Sequence, residues 1–228
     1  MDNRLIYDVP TRVFHWLFSL LFLVSVLIAK NVDDESVIFS YHMLGGFILL
    51  LLVILRIIWG FIGSKYARFS HFRLKPSDLV KYFKSYFSIQ RPRWIGHNPA
   101  SSWAAILMMG LALGLSVTGY LMVSGEKETY EDIHELLANI FIVTAIAHVA
   151  GVTIESLRTK SMMGFSMIHG KKIEISKEEE IIHTYKAAGV SLFVVILGFS
   201  YYLYKSFNPK NGVLNVFNQQ LQILEVED

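Results

Sequence analysis

Five apolar runs dominate this sequence, each close to the twenty residues that an α-helix needs to cross a bilayer. They cover residues 11–29, 40–62, 103–123, 133–157 and 183–204. Because lipid offers the backbone no hydrogen-bonding partner, such runs must satisfy their own N–H and C=O groups and therefore fold as helices. With 53% hydrophobic and only 18% charged residues, the chain is more apolar than an ordinary soluble domain. The sequence predicts an all-α integral membrane bundle.

Charge divides the connecting segments into two classes. Residues 31–36 and 124–132 are short and acidic, whereas residues 63–102 carry eight basic residues and a single acidic one, Asp78. Basic loops stay in the cytoplasm, so the N-terminus and the basic segment are expected inside and the acidic segments outside. We expect the first run to be retained as a helix, since no small-residue cleavage site follows it. Five spans then place the C-terminal tail in the periplasm.

Four of the eight histidines lie in the apolar runs, where an unpaired imidazole is costly. They are His15, His42, His134 and His148. The last two are fourteen residues apart, close to four helical turns, so they share one helix face and lie about 21 Å apart along its axis. In the predicted orientation the four form two level pairs, His42 with His134 outside and His15 with His148 inside.

The pairs admit two interpretations. Any one of these histidines has an ordinary explanation as an interfacial residue or as the start of a helix. Two matched pairs on different helices instead favour two metal cofactors. Haem is favoured over zinc or copper, because two imidazoles alone leave a tetrahedral metal short of ligands while a porphyrin supplies four nitrogens. The absence of cysteine excludes iron–sulfur clusters and covalent C-x-x-C-H attachment.

Other residues near the histidines have both a cofactor-binding and a structural interpretation. Gly45 and Gly46, one turn after His42, would let a flat macrocycle approach the backbone, or would serve close helix packing. Arg12 and Arg56 would pair with haem propionates, or would snorkel to the membrane surface. The remaining histidines, His71, His97, His169 and His183, are expected at solvated surfaces.

Six sequence stretches together resemble one family. They are TRVFHW, YHMLGG, RIIWGFIGSKYARFSHF, GHNPASSW, IHELLAN and AHVAGV, spread over residues 4–172. This ordered set resembles the bacterial cytochrome b561 family, which is related to the b-type cytochrome subunits of membrane nickel–iron hydrogenases. The resemblance implies a four-helix core with two noncovalent b haems, His15, His42, His134 and His148 at the ligand positions, and electron exchange with quinone. The fifth helix and the tail depart from the shortest members.

These observations predict a di-haem core over residues 1–175, followed by a fifth transmembrane helix and periplasmic tail over residues 176–228. The predicted protein lies in the bacterial cytoplasmic membrane and transfers electrons between the quinone pool and a periplasmic redox partner such as a c-type cytochrome. Alternatives are an anchor subunit of a larger redox complex such as a hydrogenase, a superoxide:quinone oxidoreductase, and, more distantly, a metal or proton transporter. Whether it is an enzyme or a carrier stays open. The small net charge of +2 makes nucleic-acid binding a poor explanation.

Overall fold

The computed structural model describes residues 4–88, 94–160, 163–173 and 175–224. Five helices in this part of the chain are long: α1 Val9–Asn31, α2 Ser40–Ile62, α4 Pro99–Leu121, α5 Lys127–Thr159 and α7 Lys186–Ser206. Two are short: α3 Pro76–Lys84 and α6 Ser166–His169. The strands are β1 Arg4–Leu5, β2 Lys171–Lys172, β3 Phe207–Asn208, β4 Val213–Val216 and β5 Gln219–Gln222. The basic residues Arg91 and Arg93 and the end of the tail, 225–228, lie outside the described residues.

The long helices confirm the predicted all-α membrane class. α2 coincides with its predicted run, and each of the others differs from its run by two to six residues at the two ends. Helices α1, α2 and α7 and the stretch Pro99–Thr159 are each long and apolar enough to cross a membrane. That stretch holds α4 and α5, which are separated by a wide helical turn, Met122–Glu126, where Gly125 has φ of 107°. An L-residue rarely adopts such a φ, so glycine permits the break between the two helices.

The chain forms two compact units, each assembled from separate segments. The first comprises Met1–Val13, Arg56–Gly110 and Phe141–Val190. In it, β1 pairs antiparallel with β2, and Ile6, Tyr7, Tyr66, Ile175 and Ile181 form a small buried core. Asp8 caps the start of α1, accepting a hydrogen bond from the Thr11 amide at 2.8 Å. Its other carboxylate oxygen accepts one from Trp59 Nε1 at 3.0 Å, which ties α1 to α2.

The second unit comprises Phe14–Leu55, Leu111–Ile140 and Ser191–Asp228. The tail, expected only as a periplasmic extension, here forms a three-stranded antiparallel sheet in the order β3-β4-β5. Leu214 and Leu221 face each other across β4 and β5 and pack with Leu203 of α7 and Leu44 of α2. The sheet therefore gives α2 and α7 a shared apolar core, which adds a small β element to the helical fold. The proposed domain boundary at residue 175 stays a prediction.

Candidate cofactor site

His42 and His134 come together in the second unit. His42 lies in the first turn of α2 and His134 in the second turn of α5, and both side chains are half-buried. Their ring centroids are 6.3 Å apart, with the ring planes at 73°. The structure thus brings together the two histidines that sequence analysis assigns to the outer pair.

Hydrogen bonds at Nδ1 hold both rings. His42 Nδ1 lies 2.9 Å from the Ser25 carbonyl of α1. A carbonyl only accepts, so Nδ1 must be the donor and Nε2 carries the lone pair. His134 Nδ1 lies 2.8 Å from Thr118 Oγ1 of α4. Since Thr118 donates its own hydroxyl proton to the Gly114 carbonyl at 2.9 Å, it accepts from Nδ1 and leaves Nε2 of His134 as the basic nitrogen as well.

This arrangement suits a metal held between two imidazoles. Metal–imidazole bonds are about 2.0–2.1 Å, so two ligating nitrogens on opposite sides of one metal lie about 4 Å apart and the ring centroids lie farther apart still. The observed 6.3 Å separation is compatible with that requirement. Hydrogen bonds from the other ring nitrogen are the usual support of metal-bound histidines. Across residues 4–88, 94–160, 163–173 and 175–224, no cluster of three or more His, Asp or Glu is arranged as a metal site.

Glycines border the pair in different ways. A Cβ built on Gly46, one turn after His42, would meet no atom within 4 Å, which leaves open space beside the backbone for a flat group. A Cβ on Gly45 would lie 3.0 Å from Ser25 Oγ, so that glycine serves the close packing of α1 and α2. Gly119 touches His134, since its Cβ would lie 3.4 Å from Cε1 of the ring. A cofactor role for Gly45 and Gly46 stays a prediction.

His15 and His148 belong to different units, His15 to the second and His148 to the first. Both side chains are half-buried. The His15 ring makes an edge contact with Trp16 at 5.2 Å between centroids. The pairing of these two histidines stays a prediction.

Arg12 and Arg56 both belong to the first unit. Arg56 is only 5% exposed, donates to the Ala67 carbonyl at 3.0 Å, and lies over the rings of Phe69 and Phe72. A snorkelling side chain would be solvated, so burial excludes that alternative for Arg56. Arg12 donates to the carbonyls of Asp8 at 3.4 Å and Ile168 at 2.6 Å. Pairing of either arginine with a propionate stays a prediction.

Of the remaining histidines, His71, His169 and His183 are exposed, as expected. His97 is not a solvated residue: it is half-buried, with ring centroids 4.7 Å from Phe72 and 5.6 Å from Tyr7. Sequence analysis also missed Ser25, Thr118 and Gly119, which position the outer pair. The Ser25 carbonyl could not be predicted, because every residue has a backbone carbonyl. Thr118 and Gly119 could have been noticed, because a threonine followed by a glycine inside an apolar run indicates a polar contact and a close approach of another side chain.

Membrane-length helices, two of which bring His42 and His134 together, define an α-helical membrane protein. A family model of prokaryotic cytochrome b561 matches residues 6–170. The chain belongs to that family and is therefore a multi-pass bacterial membrane cytochrome of the b type, with haem b as its cofactor and electron transfer as its role.

Relatives agree with this assignment. The chain is 24% identical over 220 residues to a probable Ni/Fe-hydrogenase B-type cytochrome subunit of Rhizobium leguminosarum bv. viciae, covering 76% of this chain and 90% of that protein. It is 23% identical over 149 residues to a probable Ni/Fe-hydrogenase 1 B-type cytochrome subunit of Escherichia coli K12, covering 55% of this chain and 63% of that one. No solved structure matches the chain.

Proposed function

We propose that this protein is a di-haem cytochrome b that carries electrons across the cytoplasmic membrane between the quinone pool and a periplasmic redox partner. The observation that carries the proposal is the facing pair His42 and His134, whose rings lie 6.3 Å apart and whose Nδ1 atoms are both fixed by hydrogen bonds. Such a pair is pre-oriented to offer Nε2 to one metal from two sides.

Each haem would be held by two imidazoles. His42 and His134 would hold the outer one through Nε2, and His15 and His148 the inner one. Bound haem would supply the one-electron redox chemistry. The protein's own contribution is to orient the imidazoles, to leave space at Gly46, and to exclude water with apolar helices. Arg12 and Arg56 are the candidate cations for propionates at the inner end.

The distribution of charge supports the proposed orientation. Exposed basic residues of the first unit are concentrated between α2 and α3, and they include Lys65, Arg68, Arg73 and Lys75. The second unit exposes acidic residues at its loops, namely Asp33, Asp34, Glu35, Glu126 and Glu128. Under the positive-inside rule, the basic segment after α2 faces the cytoplasm and the acidic residues face the periplasm, with the N-terminus inside and the C-terminus outside. An acidic outer face favours a basic partner such as a c-type cytochrome and disfavours anionic superoxide.

The first test is haem content. We expect the purified protein to show the reduced absorption bands of b haem and a pyridine haemochrome assay to give two haems per chain. His134→Ala should lose the outer haem and His148→Ala the inner one. A colourless protein that cannot be reconstituted with haem would contradict the proposal and would favour the metal or proton transporter.

The second test is electron transfer from quinol. Reduction of the haems by a soluble quinol analogue is expected in the isolated chain if it is a self-sufficient quinone-linked cytochrome. Both relatives are named as probable hydrogenase cytochrome subunits, which favours a second candidate, an anchor subunit of a larger redox complex such as a hydrogenase. A haem-loaded chain that dithionite reduces but quinol does not would support that alternative.

A further inference from the structure

A buried carboxylate near the end of α5 forms the core of a second polar cluster, which belongs to the first unit. Glu155 is only 8% exposed. Its Oε2 accepts a hydrogen bond from Tyr86 at 2.8 Å and lies 3.4 Å from the Tyr82 hydroxyl oxygen. The two tyrosine hydroxyls are themselves 2.8 Å apart. A polar group buried this deeply near the end of a membrane helix is costly, which makes it a candidate functional site.

The hydrogen bonds run in one direction. Tyr86 has one hydroxyl proton, and its short bond to Glu155 uses it. Tyr82 therefore donates to the Tyr86 oxygen, while Asn98 Nδ2 donates to Tyr82 at 3.4 Å. The result is an ordered chain of hydroxyls, Tyr82 to Tyr86 to Glu155, along which a proton shifts by exchanging O–H bonds.

A cation lies beside the carboxylate. Arg158 Nη1 lies 3.7 Å from Glu155 Oε2, and its guanidinium lies over the Tyr86 ring at 4.3 Å. The same arginine donates to the hydroxyl and the carbonyl of Ser85, which fixes its position between α5 and the residues after α3. A carboxylate is a common general base, and the short bond from Tyr86 places a hydroxyl proton directly beside this one.

The cluster lies close to the inner histidine in sequence and along the helix. Glu155 follows His148 by seven residues, which is two helical turns, so the two residues share a face of α5 about 10 Å apart along its axis. Both belong to the first unit, the one that exposes the basic residues.

We propose that Tyr82, Tyr86 and Glu155 form a relay for the proton that accompanies electron exchange between quinol and the haem assigned to His148. The inference rests on the proposed function. When one quinol is oxidised to quinone, its two O–H bonds break, one electron reduces each of two ferric haems, and two protons leave. One of those protons passes along the hydroxyl chain and forms an O–H bond on Glu155, which later releases it to the cytoplasmic solution. The other proton passes to water without entering the chain. Quinone reduction runs the same exchange backwards.

The principal test is Glu155→Gln, which keeps the shape of the side chain but cannot take up the proton. We expect quinol to reduce the haems of this variant about 100-fold more slowly, within the usual range for loss of a general acid–base group. Dithionite, which needs no proton relay, should reduce it at the wild-type rate. Glu155→Asp should restore part of the quinol rate. The matched control is Glu128→Gln, the same change at an exposed position at the other end of α5.

Two outcomes separate the relay from the proposed function. A wild-type protein without haem, or with haem that quinol does not reduce, overturns both. A wild-type protein that quinol reduces, together with a Glu155→Gln variant of full haem content and the same quinol rate, overturns the relay alone. Should Glu155→Gln fail to retain haem, Tyr86→Phe serves instead, because it removes one hydroxyl from the chain and no charge. Its quinol rate is expected to fall and to lose its solvent isotope effect, and an unchanged rate and isotope effect overturn the relay.

A spectroscopic measurement tests the cluster without turnover. Burial, above all, raises the pKa of Tyr86, and Glu155 raises it further as a hydrogen-bond partner and neighbouring negative charge. Replacing Glu155 by Gln removes that charge, so tyrosinate formation, followed by ultraviolet absorbance in an alkaline titration, should move to lower pH. Glu128→Gln should leave the titration unchanged. A titration that does not respond to Glu155→Gln would show that the carboxylate does not contact the tyrosines and would overturn the relay.

Discussion

Thr118 shows how one hydroxyl sets the chemistry of a histidine in a membrane interior. It donates to the backbone of its own helix and therefore has only acceptor capacity left for His134 Nδ1. His42 reaches the same state through the Ser25 carbonyl. Both imidazoles thus present Nε2 as a base, the form in which histidine binds a metal.

Replacing Thr118 by Val keeps the volume and removes the acceptor. We expect the outer haem to bind about 10- to 100-fold more weakly, as is typical when a hydrogen bond that supports a metal ligand is lost. Haem titration into the haem-free protein measures this. Ser116→Ala is the control, since Ser116 sits two residues earlier on α4 and bonds only to the Ala112 carbonyl. Unchanged haem affinity in Thr118→Val would contradict the role assigned to this hydroxyl.

Asp8 is the second residue whose bonds predict a measurable effect. Removing both of its hydrogen bonds in Asp8→Ala should lower the free energy of unfolding by at least about 1 kcal/mol, the usual value of a helix N-cap. Denaturant titration in detergent micelles, followed by circular dichroism, measures the change. Asp33→Ala is the control, because among the described residues that exposed carboxylate accepts a hydrogen bond only from the Glu35 amide. Equal stabilities of the two variants would contradict the structural role of Asp8.

At the residue scale, the sequence predicts the four membrane histidines. It does not predict the residues that hydrogen-bond to them. A histidine within an apolar run is visible in the sequence. The direction in which its helix crosses the membrane then predicts the depth of the histidine in the bilayer. The rotation of one helix against the next is not visible, so neither the Ser25 carbonyl nor Thr118 could be assigned to its histidine. Glu155 was hidden for the same reason, because its partners come from α3 and the residues that follow it.

At the element scale, hydrophobic runs predicted the long helices well because lipid leaves the backbone no alternative. The C-terminal sheet escaped prediction. Its strands β4 and β5 have four residues each, too few for a clear alternating pattern. Their connection passes through Phe217 and Asn218, both at positive φ, and only asparagine is a usual residue for that conformation. Packing against Leu44 and Leu203, which the sequence does not reveal, supplies the sheet's core.

Gly125, in the turn between α4 and α5, gives a prediction at this scale. Gly125→Ala must place a Cβ at φ of 107° and should destabilise the protein by about 1–2 kcal/mol. Gly110→Ala is the control inside α4, where a Cβ would meet nothing within 4 Å. There alanine should be neutral or stabilising by about 0.5–1 kcal/mol. Thermal unfolding in detergent compares the two, and effects of the same sign would contradict the turn conformation.

For the whole molecule, the distribution of charge predicts which ends of the helices face the cytoplasm. The chain has no cysteine, so a maleimide reacts in each variant only with the single cysteine that the substitution introduces. We expect a membrane-impermeant maleimide to label Glu35→Cys and Lys210→Cys in spheroplasts, because both sites belong to the proposed periplasmic side. Lys75→Cys should be labelled only after the membrane is permeabilised. The reverse pattern would invert the proposed orientation.

The hydrogen bonds that Leu5 makes with residues 180 and 181 have a consequence for biosynthesis. The Leu5 amide donates to Glu180 across a sequence separation of 175 residues, and the Leu5 carbonyl accepts from the Ile181 amide at 3.0 Å. At elongation rates of about 5–20 residues per second, a ribosome needs roughly 9 to 35 s to make the intervening chain. The first segment must therefore wait through the synthesis of α1, α2, α4 and α5 before its hydrogen-bonding partners exist. The hydrogen bonds of Leu5 with Glu180 and Ile181 therefore form late in the folding of the protein.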